Sequence, residues 1–345
     1  MKINDKATEL IGNLIEENPN TKLSIGYLHK GKTSFKLFDA TGEIPYESHA
    51  YEIASISKVF TTSLLAKYLQ EGKMNLNDSV AKYIPELEED KYYPTLQRLA
   101  THTAGYKYEL PITVGLIIKS IAKLLWKLLR DKKPSLIHDY VLDYDDLILC
   151  AKKSKLEDKD YDWEYLDYSI ALLAEAVCQM KGIPFDELMT HFLKGLGLKN
   201  TRTETTRSDM LDGYLFNRNV GTMKKGYRKG NYTAPAGGLT STAEDLLEFA
   251  RMNIEETPSY LALTHKTYPT SQKGFDMGLG WWIWNEGEDG NEKNPAYSHG
   301  GGSEGFSSNL VFIKELETAV VILTNVGYYD PSELSNEIFR GNYEE

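Results

Sequence analysis

The 345-residue chain has 41% hydrophobic and 26% charged residues, the composition of an ordinary globular protein, and it is long enough for one large core or two subdomains. Its formal net charge of −11 argues against nucleic acid as a main partner, because phosphate binding needs a basic surface. The two cysteines, Cys150 and Cys178, have neither metal-ligand spacing nor the number that a disulfide framework needs.

The N-terminus predicts where the protein is found. Residues 1–12 carry Asp5 and Glu9 and contain no uninterrupted apolar stretch, so they do not resemble a signal peptide. No run of about 18 uncharged apolar residues occurs along the chain, which predicts that no helix spans a membrane. We therefore expect a cytoplasmic protein, although a chain whose leader had been removed would look the same.

The first part of the chain predicts a helix, two strands and a second helix. Apolar residues at helical spacing indicate a helix over residues 7–15. Short apolar runs at residues 23–28 and 33–38 predict a β-hairpin. The second helix is predicted to begin near Ser55 and to end at Gly72, a residue typical of helix C-termini.

The rest of the chain predicts helices in the middle and strands near the end. Residues 202–232 are polar and contain glycines, which predicts a loop. The other predicted elements are helices at residues 166–180, 185–193 and 242–252, strands at residues 279–284, 306–313 and 318–324, and a final helix after Pro331.

This order of elements predicts an α+β fold. The simplest assembly places residues 1–57 and 240–345 together in one antiparallel sheet domain. Residues 58–239 would form an inserted, mostly helical domain, with an amphipathic insertion at about residues 111–133. We expect the ligand site in the cleft between the two domains.

The segment at residues 112–133 is strongly amphipathic. Its basic stripe lies opposite an apolar face and consists of Lys119, Lys123, Lys127 and Arg130. A helix of this kind packs on the body of an enzyme or covers its cleft as a lid, which is the favoured interpretation. The alternative is a helix that lies on the surface of an anionic membrane.

Ser55 and Lys58 are the residues with the clearest chemical meaning. They are three positions apart at a predicted helix start, so both side chains lie on one face of the helix. Free N–H groups and the helix dipole favour negative charge there, and a nearby amine can activate a serine as a nucleophile. Because Ser-x-x-Lys is common by chance, the alternative is a serine that only caps the helix and a surface lysine.

An acyl-transfer serine also needs a base, a proton shuttle and two donors for the oxyanion. Two later stretches could supply them. Residues 165–167, with Tyr165 and Asp167, lie at a predicted helix start, and residues 297–302 leave a strand with three glycines that let a substrate approach the backbone. Taken alone, Tyr165 would be a buried tyrosine and His299 a strand-end histidine bonded to the backbone.

Three motifs in this order resemble those of the serine β-lactamase and penicillin-binding-protein family: Ser55-x-x-Lys58, Tyr165-x-Asp167 and His299-Gly300-Gly301. The resemblance is strongest to the class C β-lactamase, DD-peptidase and esterase branch, in which histidine can replace lysine in the third motif. Residues 99–105 and 234–245 also look like elements of this family. The resemblance extends from about residue 20 to 325, and it implies a β-lactamase/transpeptidase-like fold, an antiparallel sheet flanked by helices.

The resemblance implies a role for each matching residue. Ser55 would attack a carbonyl and form an acyl-enzyme, Lys58 would take or relay its proton, and Tyr165 would protonate the leaving group. His299, Gly300 and Gly301 would line the opposite wall with Asp167 as a further substrate contact, and the N–H groups of Ser55 and Gly302 would form the oxyanion hole. The implied substrate is a small-molecule or peptide ester, amide or β-lactam. No metal or organic cofactor is predicted.

Asp167 departs from the family, in which the third residue of the second motif is usually asparagine. Asparagine both donates and accepts hydrogen bonds, whereas an ionised aspartate only accepts them. A carboxylate here would serve a substrate carbonyl poorly and would keep Lys58 protonated. It lowers the expectation of penicillin or peptide turnover and raises that of ester or modified-peptide substrates. The alternative is a catalytically impaired protein that binds an acyl ligand without turnover, as a penicillin-binding sensor would.

A competing Gly-x-Ser-x-Gly motif spans residues 301–305. A nucleophile elbow requires a helix after its serine, here Ser303, but residues 306–313 read as a strand. It also requires a later catalytic histidine, and none follows His299. We therefore reject Ser303 as the nucleophile.

Overall fold

A computed structural model describes residues 1–88, 90–107, 143–204, 207–222, 232–286 and 292–342. The amphipathic segment at residues 112–133, with its predicted packing or membrane contact, lies outside these residues. Within the described ranges, no helix is both long and apolar enough to cross a bilayer.

The α-helices follow the apolar periodicity of the sequence. In chain order they are α1 (Asp5–Glu17), α2 (Ser57–Gln70), α3 (Leu96–Ala100), α4 (Tyr144–Lys153), α5 (Asp167–Lys181), α6 (Phe185–Leu196), α7 (Ala234–Gly237), α8 (Ala243–Ile254) and α9 (Ser332–Asn342). Apart from the amphipathic segment at residues 112–133, each helix predicted from the sequence corresponds to one of these.

The strands are β1 (Leu23–His29), β2 (Lys32–Asp39), β3 (Gly42–Ile44), β4 (Tyr51–Glu52), β5 (Gly213–Leu215), β6 (Arg218–Gly221), β7 (Thr240–Ser241), β8 (Asp276–Met277), β9 (Trp282–Glu286), β10 (Glu292–Gly302), β11 (Ser307–Ile313) and β12 (Thr318–Thr324). Eight of the described strands form one antiparallel sheet in the order β3-β2-β1-β12-β11-β10-β9-β8. The prediction of a loop over residues 202–232 is wrong in part, because β5 and β6 pair as a hairpin there.

The sheet joins the two ends of the chain, as predicted. β1 pairs along its whole length with β12, so that Leu23 lies opposite Thr324. The α+β fold class is thereby confirmed. In the described part of the chain, residues 58–239 contribute no strand to this sheet and consist mainly of α2 to α7.

Two hydrophobic cores hold the layers together. The smaller one lies between one face of the sheet and the helices α1 and α9, where Ile25 and Ile322 meet Ile11 and Ile338. The larger one extends from the other face of the sheet through the helical part. Every residue of α5 from Tyr168 to Cys178 is buried, and most of them belong to this core, so the helix is fixed in the helical layer and its first residue, Asp167, is held at the cleft.

Candidate active site

Ser55 lies in a 3-10 turn, Ala54–Ile56, and the α-helix α2 begins at Ser57 just after it. Ala54 has φ +42, in the left-handed region that is costly for a residue with a Cβ. The preceding residue, Ile53, is held from two sides: its N–H donates to Leu239 O at 3.1 Å, and its carbonyl accepts from Ser308 Oγ at 3.0 Å. The serine is therefore carried by a strained turn that its surroundings fix in place.

Lys58 lies in the first turn of α2 and has no exposed surface. Its Nζ donates to Ser55 Oγ at 2.9 Å and to Ala236 O at 2.9 Å, and it contacts Asp167 Oδ1 at 2.6 Å. An ammonium group has three N–H donors, so three acceptors satisfy it completely. Burial alone would lower the pKa of Lys58, but the charge of Asp167, followed by that of Tyr165, raises it above its ordinary value. Lys58 is a buried ammonium.

Tyr165 lies immediately before α5, and the centre of its ring is 4.7 Å from Lys58 Nζ. The segment that carries it is attached to His102 at two points. Leu166 N–H donates to His102 Nδ1 at 3.3 Å, and Glu164 N–H donates to His102 O at 2.8 Å. The position of the phenol over the ammonium therefore depends on a residue more than 60 positions earlier in the chain.

The third motif forms the end of β10, which continues to Gly302, so residues 297–302 lie within the strand and do not leave it. β9 begins at Trp282, opposite Ser298, and leaves the last residues of β10 without a β9 partner. β10 approaches the turn of Ser55 so closely that a Cβ at Gly301 would lie 2.2 Å from Ile53 O. This approach brings the backbone of Gly302 to the serine side of the cleft.

His299 is fully buried and uncharged. Its Nδ1 lies 2.7 Å from Gly300 O, so Nδ1 carries the proton and Nε2 is left as an acceptor. Burial, followed by the charge of Lys58, lowers the pKa of His299 to about 3. The same causes, with His299 added, hold the pKa of His102 well below its usual value. Neither imidazole brings a positive charge to the cleft.

A group of aromatic side chains surrounds Tyr165 and His299. The ring of Tyr165 lies 4.7 Å from His102 and 6.1 Å from Trp282, centre to centre. Trp163 in turn contacts Trp282 at 6.5 Å. His102, Trp163 and Trp282 lie at the site although none of the sequence motifs predicts them there. The signals available were the family-like stretch at residues 99–105, which contains His102, and the closeness of Trp163 to Tyr165.

The structure thus brings Ser55, Lys58, Tyr165 and Asp167 into direct contact. His299 touches this group through the ring of Tyr165, 6.1 Å away, and the glycines of β10 lie against the turn that carries the serine. The catalytic and substrate-binding roles of these residues stay predictions. Among the described residues, no cluster of histidine, cysteine, aspartate or glutamate could hold a metal ion.

The surroundings of Ser303 agree with its rejection as the nucleophile. Its hydroxyl is buried and donates to Glu52 Oε2 at 2.7 Å, and the strand β11 follows it instead of a helix. The Gly-x-Ser-x-Gly motif is therefore not a nucleophile elbow in this fold.

Comparison with known proteins assigns the chain to a family. The family description "Beta-lactamase" matches residues 13–343. A beta-lactamase of Pseudomonas fluorescens is 27% identical over 282 residues, which are 78% of this chain and 71% of the relative. A D-alanyl-D-alanine-carboxypeptidase/endopeptidase AmpH of Escherichia coli is 26% identical over 221 residues, 61% of this chain and 50% of that protein.

Solved structures show the same fold. A beta-lactamase/D-alanine carboxypeptidase from Pseudomonas syringae superimposes with a TM-score of 0.75 at 22% identity and covers 97% of both chains. A class C beta-lactamase from Rhodobacter sphaeroides gives a TM-score of 0.76 at 19% identity over 98% of this chain and 99% of the other. None of these comparisons favours the alternative of an impaired binding protein. The chain belongs to the beta-lactamase family, and the prediction of a serine hydrolase of this family is confirmed.

Proposed function

We propose that this protein hydrolyses an ester, amide or β-lactam-type bond through an acyl-enzyme formed on Ser55. The observation that carries the proposal is the 2.9 Å contact between Lys58 Nζ and Ser55 Oγ, made by a fully buried lysine to a serine on a strained turn. A structural lysine would not be buried at this cost with a serine hydroxyl as one of its three acceptors.

The contacts suggest how the serine loses its proton. Lys58 first passes one proton to Asp167, 2.6 Å away, and the neutral amine then takes the proton of Ser55 as Ser55 Oγ bonds to the substrate carbonyl carbon. The leaving group then takes a proton from Tyr165, which regains one from Lys58 while Asp167 returns the proton that it held. A water molecule reverses these steps at the acyl-enzyme and releases the acid.

The negative charge that develops on the carbonyl oxygen needs two donors. The N–H groups of Ser55 and Gly302 are our candidates, since β10 lies against the turn that carries Ser55 and leaves that edge free of β9. Removal of one such donor in other acyl-transfer enzymes costs on the order of 10²–10³ in rate.

The relatives support small-molecule or peptide substrates. Those matched here are named as beta-lactamases and as a D-alanyl-D-alanine carboxypeptidase/endopeptidase, so the activities tested first should be hydrolysis of β-lactams, of D-alanyl peptides and of simple esters. Asp167 makes simple esters the substrates that we expect to be turned over most readily.

The test is hydrolysis of nitrocefin and of p-nitrophenyl acetate and butyrate by the wild type and by Ser55→Ala. Ser63→Ala is the matched control, because Ser63 lies two turns further along α2 and its hydroxyl donates only to Val59 O at 2.6 Å. We expect loss of at least about 10³ in kcat/KM for Ser55→Ala and little change for the control. Equal rates for Ser55→Ala and the wild type would rule the proposal out.

A further inference from the structure

We propose that Asp167 makes this site selective for acyl groups that carry a hydrogen-bond donor, in particular a free amino group, next to the carbonyl that Ser55 attacks. This inference rests on the proposed function and names its substrate class. An acyl group that presents a carbonyl oxygen or a carboxylate at the same position is disfavoured.

The carboxylate of Asp167 is only partly occupied by its partner. Asp167 is the first residue of α5, and its Oδ1 is occupied by Lys58 at 2.6 Å. Its side chain is 37% exposed, whereas that of Lys58 is not exposed at all. A carboxylate has about four acceptor positions and no donor, and Lys58 is the one residue paired with it in the part of the chain that the structure describes. Acceptor positions of Asp167 therefore remain open to a ligand.

The charge of the rest of the cleft supports the same inference. Lys58 uses its three donors on Ser55, Ala236 and Asp167, so it has no N–H left for a substrate carboxylate. His299 and His102 are neutral, as shown above. Of the described groups around the serine, none is a cation free to bind an anionic substituent. Carboxylate-bearing substrates thus meet the acceptor oxygens of Asp167 and no free N–H group of Lys58.

An aromatic surface lies beside the carboxylate. The ring of Tyr165 and the carboxylate of Asp167 both contact Lys58 Nζ, the ring centre at 4.7 Å and Oδ1 at 2.6 Å, so the ring lies near the carboxylate. Trp282 lies behind Tyr165 at 6.1 Å. Aromatic faces attract an ammonium group and contribute most where water is excluded. An amino group on the substrate that binds the free oxygen of Asp167 would also lie near these rings.

The test compares alanine p-nitroanilide with its N-acetyl and N-succinyl derivatives, which share one scissile bond and leaving group and differ only in the group beside the carbonyl. Both D- and L-alanine forms are measured. For the wild type we expect kcat/KM to fall from the free amine to the acetyl and then to the succinyl compound, by about tenfold at each step. Asp167→Asn should reduce the preference for the amine over the acetyl compound at least tenfold. Asp162→Asn, an exposed residue close by in the sequence, should retain the wild-type order.

A binding measurement separates this inference from the proposed function. Ser55→Ala cannot form an acyl-enzyme, but it keeps Asp167 and the aromatic rings. Alaninamide should bind it at least tenfold more tightly than N-acetylalaninamide, as measured by calorimetry, and Asp167→Asn in the same background should abolish the difference. Equal binding of the two amides overturns the inference, even if Ser55 proves to be the nucleophile. Preferential binding of the amine upholds it, even if the wild type turns over none of the anilides.

Discussion

Lys58 and His299 are both basic groups, both fully buried and both within the same cleft, yet they hold opposite charge states. Lys58 has a carboxylate and two neutral oxygens as partners, and its pKa is raised. His299 has one backbone carbonyl and a neighbouring positive charge, and its pKa falls to about 3. Burial disfavours the charged form of each, so the partners decide the outcome.

The comparison extends to the two walls that carry these residues. The helical wall is built from polar side chains, since Lys58, Asp167 and Tyr165 meet there across α2 and α5. The wall formed by β10 is built from backbone, and Gly301 packs closely against the carbonyl oxygen of Ile53. In the proposed mechanism, the helical wall supplies the protons, and the β10 wall supplies shape and backbone donors. Substitutions on one wall at a time should therefore separate these two contributions.

The largest effect is expected for Lys58→Met, which keeps the length and apolar stem of the side chain and removes its charge. Without the amine, no group accepts the proton of Ser55, and kcat/KM should fall by about 10³. Thermal unfolding followed by circular dichroism should show a folded protein, because Asp167 is more than a third exposed and can be solvated. A folded variant with wild-type activity would contradict the role of Lys58.

The next largest effect concerns His299 and acid stability. The unfolded chain binds a proton on this histidine below a pKa of about 6.5, whereas the folded chain does so only near pH 3. The free energy of unfolding should therefore decrease as the pH falls from about 6.5, by up to about 3 kcal/mol at pH 4. In His299→Asn this part of the decrease should be absent.

Urea unfolding at a series of pH values measures this effect. His191→Asn is the control, since that histidine is exposed on α6 outside the cleft. His102 and His265 are also buried, and burial is the first cause that lowers their pKa. In His299→Asn the free energy of unfolding should therefore still decrease as the pH falls, but less steeply than in the wild type. If the free energy of unfolding of His299→Asn decreases with falling pH as steeply as that of the wild type, His299 is charged in the folded protein.

A smaller effect, on stability, is expected to differ between two adjacent glycines of the wall formed by β10. A Cβ at Gly301 would lie 2.2 Å from Ile53 O and 2.4 Å from Ser308 Oγ, whereas a Cβ at Gly302 would meet nothing within 4 Å. Gly301→Ala should lower the free energy of unfolding by about 1–3 kcal/mol, and Gly302→Ala by less than about 1 kcal/mol. Chemical denaturation of both variants measures the difference, and equal stabilities would contradict the close approach.

The smallest effect is expected for Asp167→Asn with the uncharged substrate p-nitrophenyl acetate. In the wild type, the pKa of Lys58 is raised, and in the proposed mechanism this ammonium passes a proton to Asp167. Without the carboxylate, the pKa of Lys58 falls, and Lys58 has to lose its proton before Ser55 can. We expect kcat/KM about tenfold lower at pH 7, with a rise towards alkaline pH that the wild type lacks. Identical pH profiles would contradict the proton exchange.

Much of this arrangement could be predicted from the sequence. The pattern of apolar residues predicts the antiparallel sheet from both ends of the chain, and the family resemblance carried by the three motifs predicts which residues meet at the serine. The contact between Asp167 and Lys58 was expected from a single departure within the second motif. These features depend on periodicity and residue type, which a sequence states directly.

Other features depend on contacts between distant parts of the chain, which no local pattern states. Two such contacts are the hydrogen bond that Leu166 N–H donates to His102 and the one that Lys58 donates to Ala236 O. The hairpin of β5 and β6 has the sequence pattern of a loop, because its residues are polar and such short strands lack apolar alternation. The positive φ of Ala54 is also invisible in the sequence, since alanine rarely adopts it.

The nucleophile is tested most directly by trapping its acyl or phosphonyl adduct. The wild type is labelled with a fluorescent penicillin and, separately, with a fluorophosphonate, and the modified residue is located by peptide mass spectrometry. The account predicts a single adduct on Ser55, lost in Ser55→Ala and kept in Ser63→Ala. An adduct on Ser303 or on any other serine, or undiminished labelling of Ser55→Ala, would contradict it.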